Sequence, residues 1–164
     1  MKNLVVIGYG GMGGWHCQHA LESDVVHLNG IWDIKKERRD LAESRGIHAY
    51  GSLKEVLDDK SVDLVTVAIP NDDHKPVVIE CLEAGKNVIC EKPVTLSSKD
   101  LEDMIAVADK CGKVFSVHQN RRFDVDFQFR RDRRYIQYRV PHPRLARHPE
   151  RLERREGARR RNAL

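Results

Sequence analysis

The sequence predicts an α/β protein built on a doubly wound parallel sheet. Short runs of apolar, mostly β-branched residues recur along the chain, and such runs are typical of strands that are buried on both faces of a parallel sheet. Segments with helical spacing of their apolar residues separate these runs, and the alternation predicts helices that cross over between parallel strands. A cluster of glycines joins the first apolar run to the first helical segment.

Six segments have the composition expected of strands. They are residues 3–8, 26–33, 47–51, 62–70, 87–91 and 113–118. The first, NLVVIG, is almost entirely apolar, which favours a central position in the sheet. The third, IHAYG, is predicted to be a short strand. The intervals between the six segments leave room for one crossover each, as a parallel sheet requires.

Helical segments fill most of the intervals between the predicted strands. They are residues 15–22, 35–45, 52–59, 72–84 and 98–111. Ser52 and Glu55 have the spacing of a capping box, which marks the start of the third helix. Ser97 or Ser98 caps the last one, because a serine hydroxyl there can accept a hydrogen bond from the first helical turn.

Gly8, Gly10 and Gly13 form a G-x-G-x-x-G motif between the first strand and the first helix. Gly8 permits a tight turn, Gly10 lets the backbone approach a pyrophosphate, and Gly13 allows the helix to pack closely on the strand. The backbone through Gly11 and Met12 presents free amides at the helix N-terminus, where the helix dipole favours an anion. The motif therefore predicts a Rossmann-type dinucleotide site rather than a merely flexible turn.

Asp33 ends the second predicted strand, about 20 residues beyond the glycines, where the motif expects an acid that hydrogen-bonds the adenine ribose. A carboxylate at this position repels a 2′-phosphate, so it favours NAD over NADP. Lys35 and Lys36 follow closely in sequence and are able to accept that phosphate. NADP therefore stays open as an alternative cofactor.

Three later strands each end in a polar segment, with the sequences AIPNDDH, CEKP and HQNRR. The carboxyl ends of parallel strands meet at one edge of the sheet, and open α/β sheets bind their ligands at that edge. Each segment alone is compatible with a solvated loop. Three in succession indicate one side of a binding crevice.

The motifs GYGGMG, PNDDH, EKP and HQNRRFD, together with Asp33, occur in an order and spacing that resembles the glucose–fructose oxidoreductase and inositol dehydrogenase family, the Gfo/Idh/MocA group. The resemblance covers about residues 2–126, and EKP followed by a helix and QNRR is its more specific part. It implies a two-domain NAD(P)-dependent dehydrogenase. Such enzymes oxidise a ring hydroxyl of a sugar, inositol or related polyol by hydride transfer to nicotinamide.

The resemblance also implies roles for individual residues. The backbone from Gly8 to Gly13 binds the pyrophosphate, and Asp33 binds the adenine ribose. Further cofactor-binding residues are implied along the cleft, at its nicotinamide side and at its far edge: Asn71, His74, Glu91, Asn120 and Arg121. Lys92 is the implied catalytic residue, since its charge can polarise the reacting hydroxyl or help to relay a proton. Pro93 is expected to follow a cis peptide bond.

Residues 127–164 differ sharply in composition from residues 1–126. The first 126 residues carry 16 Lys+Arg and 21 Asp+Glu, a net charge of −5, whereas the last 38 carry 13 arginines, no lysine and 4 acids, a net charge of +9. No strand or helix period persists beyond residue 126. We therefore predict an NAD(P)-binding Rossmann domain over residues 1–126 and an Arg-rich tail over residues 127–164, disordered because it cannot bury enough apolar surface.

Three hypotheses about function follow from this composition. The abrupt change from lysine to arginine favours a shifted reading frame, and hence a truncated dehydrogenase without the family's second domain, general base and oligomer interface. Such a chain would bind NAD weakly and turn over little. The second, less favoured hypothesis is a non-catalytic dinucleotide-binding module whose basic tail contacts nucleic acid. The third keeps the fold and assigns the NAD-dependent glycosidase reaction of some relatives.

The remaining residues indicate no further chemistry. The four cysteines are scattered and form no C-x-x-C pair, which suits a reducing cytoplasm and argues against a disulfide framework or a zinc site. Cys17, Cys81 and Cys111 are interpreted as small buried hydrophobic residues. His16 and His19 share a helix face without a third ligand nearby in sequence, so no metal site is predicted. No segment is long and apolar enough to cross a membrane, and a cytoplasmic location is expected.

Overall fold

The computed structural model describes residues 1–123, and the tail of residues 127–164 lies outside that part of the chain. Within residues 1–123, five strands form one parallel sheet in the order β2-β1-β3-β4-β5. The strands are β1 Lys2–Ile7, β2 Val26–Trp32, β3 Leu64–Val67, β4 Asn87–Cys90 and β5 Phe115–Val117. The strand order reverses between β1 and β3, which confirms the predicted doubly wound Rossmann-type sheet.

Five α-helices connect these strands within the described part of the chain. They are α1 Gly11–Leu21, α2 Lys36–Ser44, α3 Leu53–Asp58, α4 His74–Glu83 and α5 Ser98–Cys111. Two short 3-10 helices, Asn71–Asp73 and Asn120–Phe123, follow β3 and β5. None of the helices found in residues 1–123 combines the length and the apolar character that a membrane crossing needs.

The predicted strand at residues 47–51 is wrong, because the chain makes a single isolated bridge there. Ile31 pairs with Ala49 in parallel fashion beside the outer edge of β2. The Ile31 N–H donates to His48 O, and the Tyr50 N–H donates to Ile31 O, both at 2.9 Å. The chain then reaches Ser52, which caps α3, so the segment turns away before a second ladder step can form.

The sheet is buried on both faces, as its near-continuous apolar strands predict. Alternate residues of β1 point to opposite sides, so Val5 and Ile7 enter one core while Leu4 and Val6 enter the other. The first core also holds side chains from β3, β4 and helices α3–α5: Val65, Val67, Val88, Val56, Val78, Leu82 and Met104. The second core is formed with α1 and α2 and includes Cys17, Ala20 and Ala42.

The serine caps predicted for two helices are confirmed by hydrogen bonds at their N-termini. The Ser52 hydroxyl accepts from the Glu55 N–H at 3.2 Å, and the Glu55 carboxylate accepts from the Gly51 N–H at 2.9 Å. At α5 the hydroxyl of Ser97, rather than Ser98, accepts from the Asp100 N–H at 3.4 Å. These caps satisfy amides that the helices themselves leave without partners.

Asp59 forms a hydrogen-bonded cluster at the end of α3. Its carboxylate accepts from Ser61 N–H at 2.8 Å and from Ser61 Oγ–H at 2.7 Å. It also accepts from the Tyr50 hydroxyl at 2.7 Å. The hydrogen bonds from Ser61 and Tyr50 lower the pKa of Asp59 to about 2. Burial and the neighbouring carboxylate raise the pKa of Tyr50 to about 12.

This cluster predicts a specific loss of stability in acid. A carboxyl group whose pKa falls on folding stabilises the folded state above its unfolded pKa of 3.8, and that stabilisation disappears as the pH falls to about 2. We expect Asp59→Asn to be less stable than the wild type near neutral pH, with the difference shrinking between about pH 4 and pH 2. Ser61→Ala, which removes one donor, should show a smaller part of the same effect. Urea unfolding at a series of pH values measures both, and a difference that stays constant with pH would contradict the assignment.

Candidate functional site

The turn between β1 and α1 has no room for a side chain at Gly8 or at Gly13. Gly8 has a φ of +92°, and a Cβ there would lie 2.3 Å from the Ala68 carbonyl oxygen. A Cβ on Gly13 would lie 1.7 Å from the Gly8 carbonyl oxygen. The helix therefore begins directly against the end of the strand, which is the close packing that the glycine motif predicts.

The N-terminus of α1 is left without a side-chain cap. Its N-cap residue is Gly10, which has no hydroxyl or carboxylate to offer, and no acidic residue lies in the first turn. Gly11 and Met12 are exposed at this end. The first amides of a helix have no partner within the helix, so the turn is suited to an anionic group such as a pyrophosphate.

Asp33 lies beside this turn at the end of β2 and is 3 % exposed. Its Oδ2 accepts from the Tyr9 N–H at 2.7 Å and from Arg38 Nη1 at 3.2 Å. Its Oδ1 accepts from the Lys35 N–H at 2.8 Å. The carboxylate thus ties the glycine turn, the end of β2 and the start of α2 together.

These contacts determine the pKa of Asp33 and the number of hydrogen bonds that its carboxylate can still accept. Burial opposes ionisation, but the N–H groups of Lys35 and Tyr9 and the Arg38 guanidinium outweigh it and hold the pKa of Asp33 below its usual value. An ionised carboxylate offers about four acceptor sites, and three are used here. One acceptor position on Oδ1 is left for a ligand hydroxyl, which fits the predicted contact with a ribose.

A cleft of about 350 Å³ opens next to Asp33, and both Gly8 and Asp33 line it. Its other walls come from the ends of β2 and β3, from α2 and from α4: Trp32, Ile34, Arg38, Ala68, Ile69, Pro70, Asp73, Pro76, Val77 and Glu80. The cleft is mostly apolar with a few charged groups, as expected of a pocket for a flat heterocycle attached to a polar sugar.

Arg38 is a residue of this cleft that the sequence did not single out. Of the two lysines considered as phosphate ligands, Lys36 pairs instead with Asp40 at 2.7 Å on the exposed side of α2. The Arg38 guanidinium lies between Asp33 and Gly10, where a Cβ on Gly10 would be 3.4 Å from Nη1. The sequence signal that could have identified Arg38 is its position in the charged helix that follows Asp33. Arg38 therefore forms an ion pair with the carboxylate that is predicted to bind the ribose.

His74 is fully buried, while Asn71 is exposed at the start of the 3-10 helix that precedes it. The His74 Nε2 lies 3.0 Å from Ile69 O, and its Nδ1 lies 3.2 Å from Val94 O. The ring thus holds the loop after β3 against the loop after β4. The predicted cofactor role of His74 can be exerted through these loops, because its ring does not reach the surface of the cleft.

Glu91 lies at the end of β4, and two histidines converge on it. Its Oε1 accepts from His16 Nε2 at 2.7 Å and from His118 Nδ1 at 2.8 Å. Its Oε2 accepts from the Lys92 N–H at 3.1 Å. Burial opposes ionisation of Glu91, yet the hydrogen bonds from His16 and Lys92 hold its pKa below the usual value. Burial lowers the pKa of His16, so a neutral imidazole faces an ionised carboxylate.

Lys92 and Arg121 are exposed, and Asn120 is partly buried. The peptide bond between Lys92 and Pro93 is cis, as expected. Asn120 begins the 3-10 helix that follows β5, which places it at the same edge of the sheet as Glu91. The fold therefore brings the predicted residues after β4 and β5 together at one side of the sheet edge.

The cysteines do not form a nucleophilic site. Cys17, Cys81 and Cys90 are buried, and burial raises the pKa of each thiol to about 12. Cys111 is partly exposed at the end of α5. A buried thiol with such a pKa stays protonated at neutral pH and reacts poorly.

A family model described as "Oxidoreductase family, NAD-binding Rossmann fold" (GFO_IDH_MocA) matches residues 2–119 of this chain. Among curated proteins, the chain is similar to a myo-inositol 2-dehydrogenase of Thermotoga maritima, with 35 % identity over 125 residues. It is also similar to the scyllo-inositol 2-dehydrogenase (NADP(+)) IolW of Bacillus subtilis, with 32 % identity over 125 residues. These matches cover 75 % and 74 % of this chain but 37 % and 34 % of the relatives.

Solved structures show the same fold. A crystal structure of an NAD-binding protein from Listeria innocua has a TM-score of 0.74 and 48 % identity, and the match covers 77 % of this chain and 37 % of that one. GenD2 from gentamicin A biosynthesis, solved in complex with NAD, has a TM-score of 0.67 and 32 % identity over 71 % of this chain and 34 % of that one. The chain thus spans little more than a third of the proteins that it resembles.

Proposed function

Because the chain belongs to the Gfo/Idh/MocA oxidoreductase family with its NAD-binding Rossmann fold, we propose that residues 1–126 are the cofactor-binding part of an NAD(P)-dependent dehydrogenase of sugars, inositols or related polyols. The observation that carries this proposal is the turn from Gly8 to Gly13 with Asp33 beside it. An uncapped helix N-terminus and a ribose-binding carboxylate are the two parts that a dinucleotide requires.

The order of the strands supports one direction for a bound dinucleotide. Asp33 lies at the β2 side of the sheet edge, and the cleft beside it extends to the end of β3. Glu91, Lys92 and His118 lie at the β4 and β5 side. Dinucleotides bind across the point where the strand order reverses, which here lies between β1 and β3. This arrangement supports an adenosine half beside Asp33 and a nicotinamide half toward Lys92.

The residues at the nicotinamide side have complementary roles in our proposal. When bound, the nicotinamide supplies the hydride acceptor. The exposed ammonium of Lys92 polarises the substrate hydroxyl or helps to relay its proton. Glu91, held ionised by its hydrogen bonds, fixes the backbone of Lys92 through their 3.1 Å contact. Asn71, Asn120 and Arg121 are proposed to contact the cofactor along this edge.

The substrate class is proposed from the family and its relatives. The two curated relatives described above are named as inositol dehydrogenases, which supports a cyclic polyol. Lys92 is exposed to solvent in the described part of the chain. Hydride transfer needs a closed, water-poor site, so we expect the 164-residue chain to bind the cofactor and to turn over little.

Calorimetric titration of the 164-residue chain with NADH tests the cofactor proposal directly, with AMP as the comparison ligand. We expect saturable binding of one NADH per chain and weaker binding of AMP, which lacks the pyrophosphate and nicotinamide. Absence of NADH binding by the folded chain would refute the proposal. NADH production with myo-inositol at a normal enzymatic rate would refute the expectation of low turnover.

The position of Arg38 predicts that this residue contributes to the affinity for NADPH. A guanidinium beside the ribose can form charge-assisted hydrogen bonds with a 2′-phosphate, so Arg38→Met should weaken NADPH binding by about tenfold or more. NADH has no 2′-phosphate, and its affinity should change less. Lys36→Met is the control, since Lys36 lies on the same helix but pairs with Asp40. Equal weakening of both cofactors by Arg38→Met would contradict a phosphate contact.

A further inference from the structure

Three side chains that are distant in sequence converge at the nicotinamide side of the sheet edge. His16 comes from α1, Glu91 follows β4, and His118 follows β5. Their side chains are 11 %, 7 % and 21 % exposed. The sequence pairs His16 with its helical neighbour His19, whereas the fold pairs it with residues 75 and 102 positions further on.

The three side chains form a compact set of metal-ligand atoms. His16 Nε2, Glu91 Oε1 and His118 Nδ1 all lie within 4.8 Å of one another. Two imidazoles and one carboxylate are a ligand set of catalytic zinc sites, which keep the fourth position open. Two nitrogen or oxygen ligands on one tetrahedral zinc lie about 3.3 Å apart, so small movements of the two rings away from Glu91 admit an ion.

We propose that His16, Glu91 and His118 form a binding site for a first-row transition-metal dication, with Zn²⁺ as the first candidate. The site leaves a coordination position for water or for a substrate oxygen. Because Glu91 precedes Lys92 and accepts from its N–H, a bound ion would add a Lewis acid near the residue that we propose to act on the substrate hydroxyl. Metal binding itself does not depend on the proposed dehydrogenase activity.

The protonation states available to the three residues are compatible with metal binding. An ionised carboxylate only accepts hydrogen bonds, so His16 Nε2 and His118 Nδ1 both carry a proton in the hydrogen-bonded cluster. To bind a metal, each nitrogen must present its lone pair, and a neutral ring achieves this by moving the proton to its other nitrogen. Within residues 1–123, the other nitrogens of both rings have no hydrogen-bond partner and are able to carry that proton.

The surroundings hold the ligands in place. The Lys92 N–H binds Glu91 Oε2 and leaves Oε1 directed at the two histidines. The ring of Trp15 contacts both imidazoles, with centroid distances of 5.2 Å to His16 and 5.8 Å to His118. Such outer contacts orient the ligands of metal sites and are part of their affinity.

The test is a titration of the metal-stripped 164-residue chain with CoCl₂, followed by visible absorption, and with ZnCl₂ in competition. We expect one equivalent to bind, with a spectrum typical of nitrogen and oxygen ligands. His16→Gln and His118→Asn keep an N–H donor for Glu91 but remove the imidazole. Each should weaken binding at least about tenfold, since loss of even an outer-shell partner costs that much. Both variants are checked for unchanged thermal unfolding.

His19→Ala is the matched control, because His19 lies one turn from His16 on α1 but outside the cluster. It should bind cobalt like the wild type. The proposal is overturned if the chain binds no equivalent of metal, if His16→Gln and His118→Asn bind it normally, or if His19→Ala loses it. A thiolate-to-cobalt charge-transfer band would also overturn it, since it would place the ion on cysteine. NADH titration of the same samples reports the cofactor proposal independently.

Discussion

Gly13→Ala should greatly weaken cofactor binding and strongly destabilise the fold. The new methyl group would lie 1.7 Å from the Gly8 carbonyl oxygen, which is backbone and cannot swing aside. The N-terminus of α1 must therefore move away from β1, and the amides that we propose to bind the pyrophosphate move with it. We expect the free energy of unfolding to fall by about 3 kcal/mol. NADH affinity should fall by roughly a hundredfold or more, as loss of the main anion contact implies.

Gly14→Ala provides the matched control for this prediction. It is the next residue of the same helix, and a Cβ there meets no atom within 4 Å. Alanine in a helix interior is favoured over glycine by roughly 0.5–1 kcal/mol, so this variant should be as stable as the wild type or more so. Urea unfolding and NADH titration measure both variants. Similar behaviour of the two would show that the close approach of α1 to β1 does not limit binding.

Asp33→Asn should produce the second large effect, on stability and on cofactor choice together. Asparagine has one acceptor oxygen, whereas Asp33 accepts on both of its oxygens. The buried Tyr9 N–H or the Lys35 N–H would face an amide NH₂ group instead. Leaving such a donor unsatisfied costs about 1–3 kcal/mol. NADH affinity should fall about tenfold with the loss of the carboxylate that we propose to bind the ribose.

NADPH provides the second measurement on this variant. Removing the negative charge of Asp33 removes its repulsion of a 2′-phosphate and leaves Arg38 beside it, so the preference for NADH over NADPH should decrease or reverse. Asp40→Asn is the control, because Asp40 is exposed in an ion pair with Lys36 that is worth less than about 1 kcal/mol. Unchanged cofactor preference in Asp33→Asn would contradict the ribose contact.

Most of the fold could be predicted because local patterns and the long-range structure agree. The apolar runs around Val5, Val65 and Val88 became the parallel strands, and the serines at positions 52 and 97 began the helices that they mark. The segment around Ala49 was misjudged, since its strand-like composition could not show that the chain had room for one bridge only. The number of ladder steps is decided by the neighbouring turn into α3, not by the segment itself.

The candidate site could be predicted where a motif relates its residues by a fixed spacing. It could not be predicted where only the fold brings distant residues together. The glycine turn and Asp33 have the spacing of a known motif, so they were expected to belong to one cofactor site, but the hydrogen bond between the Tyr9 N–H and Asp33 was not foreseen. The cluster of His16, Glu91 and His118 needs three elements to meet, and no periodicity connects them. Lys86, outside the candidate site, was missed for the same reason. It is 2 % exposed and donates to the carbonyls of Asp59 and Val62 between α3 and β3, yet its sequence context resembles that of a surface residue.

The central place of β1 in the sheet has a consequence for the order in which the chain can fold. One edge of β1 is covered by β2, which follows about twenty residues later, but the other edge pairs with β3, which begins at Leu64. A nascent chain that has emerged only as far as α3 therefore carries its most apolar strand with one side unpaired. Strand β1 is therefore completed only when β3 has been synthesised, and until then a chaperone would find the β3-facing edge of β1 exposed.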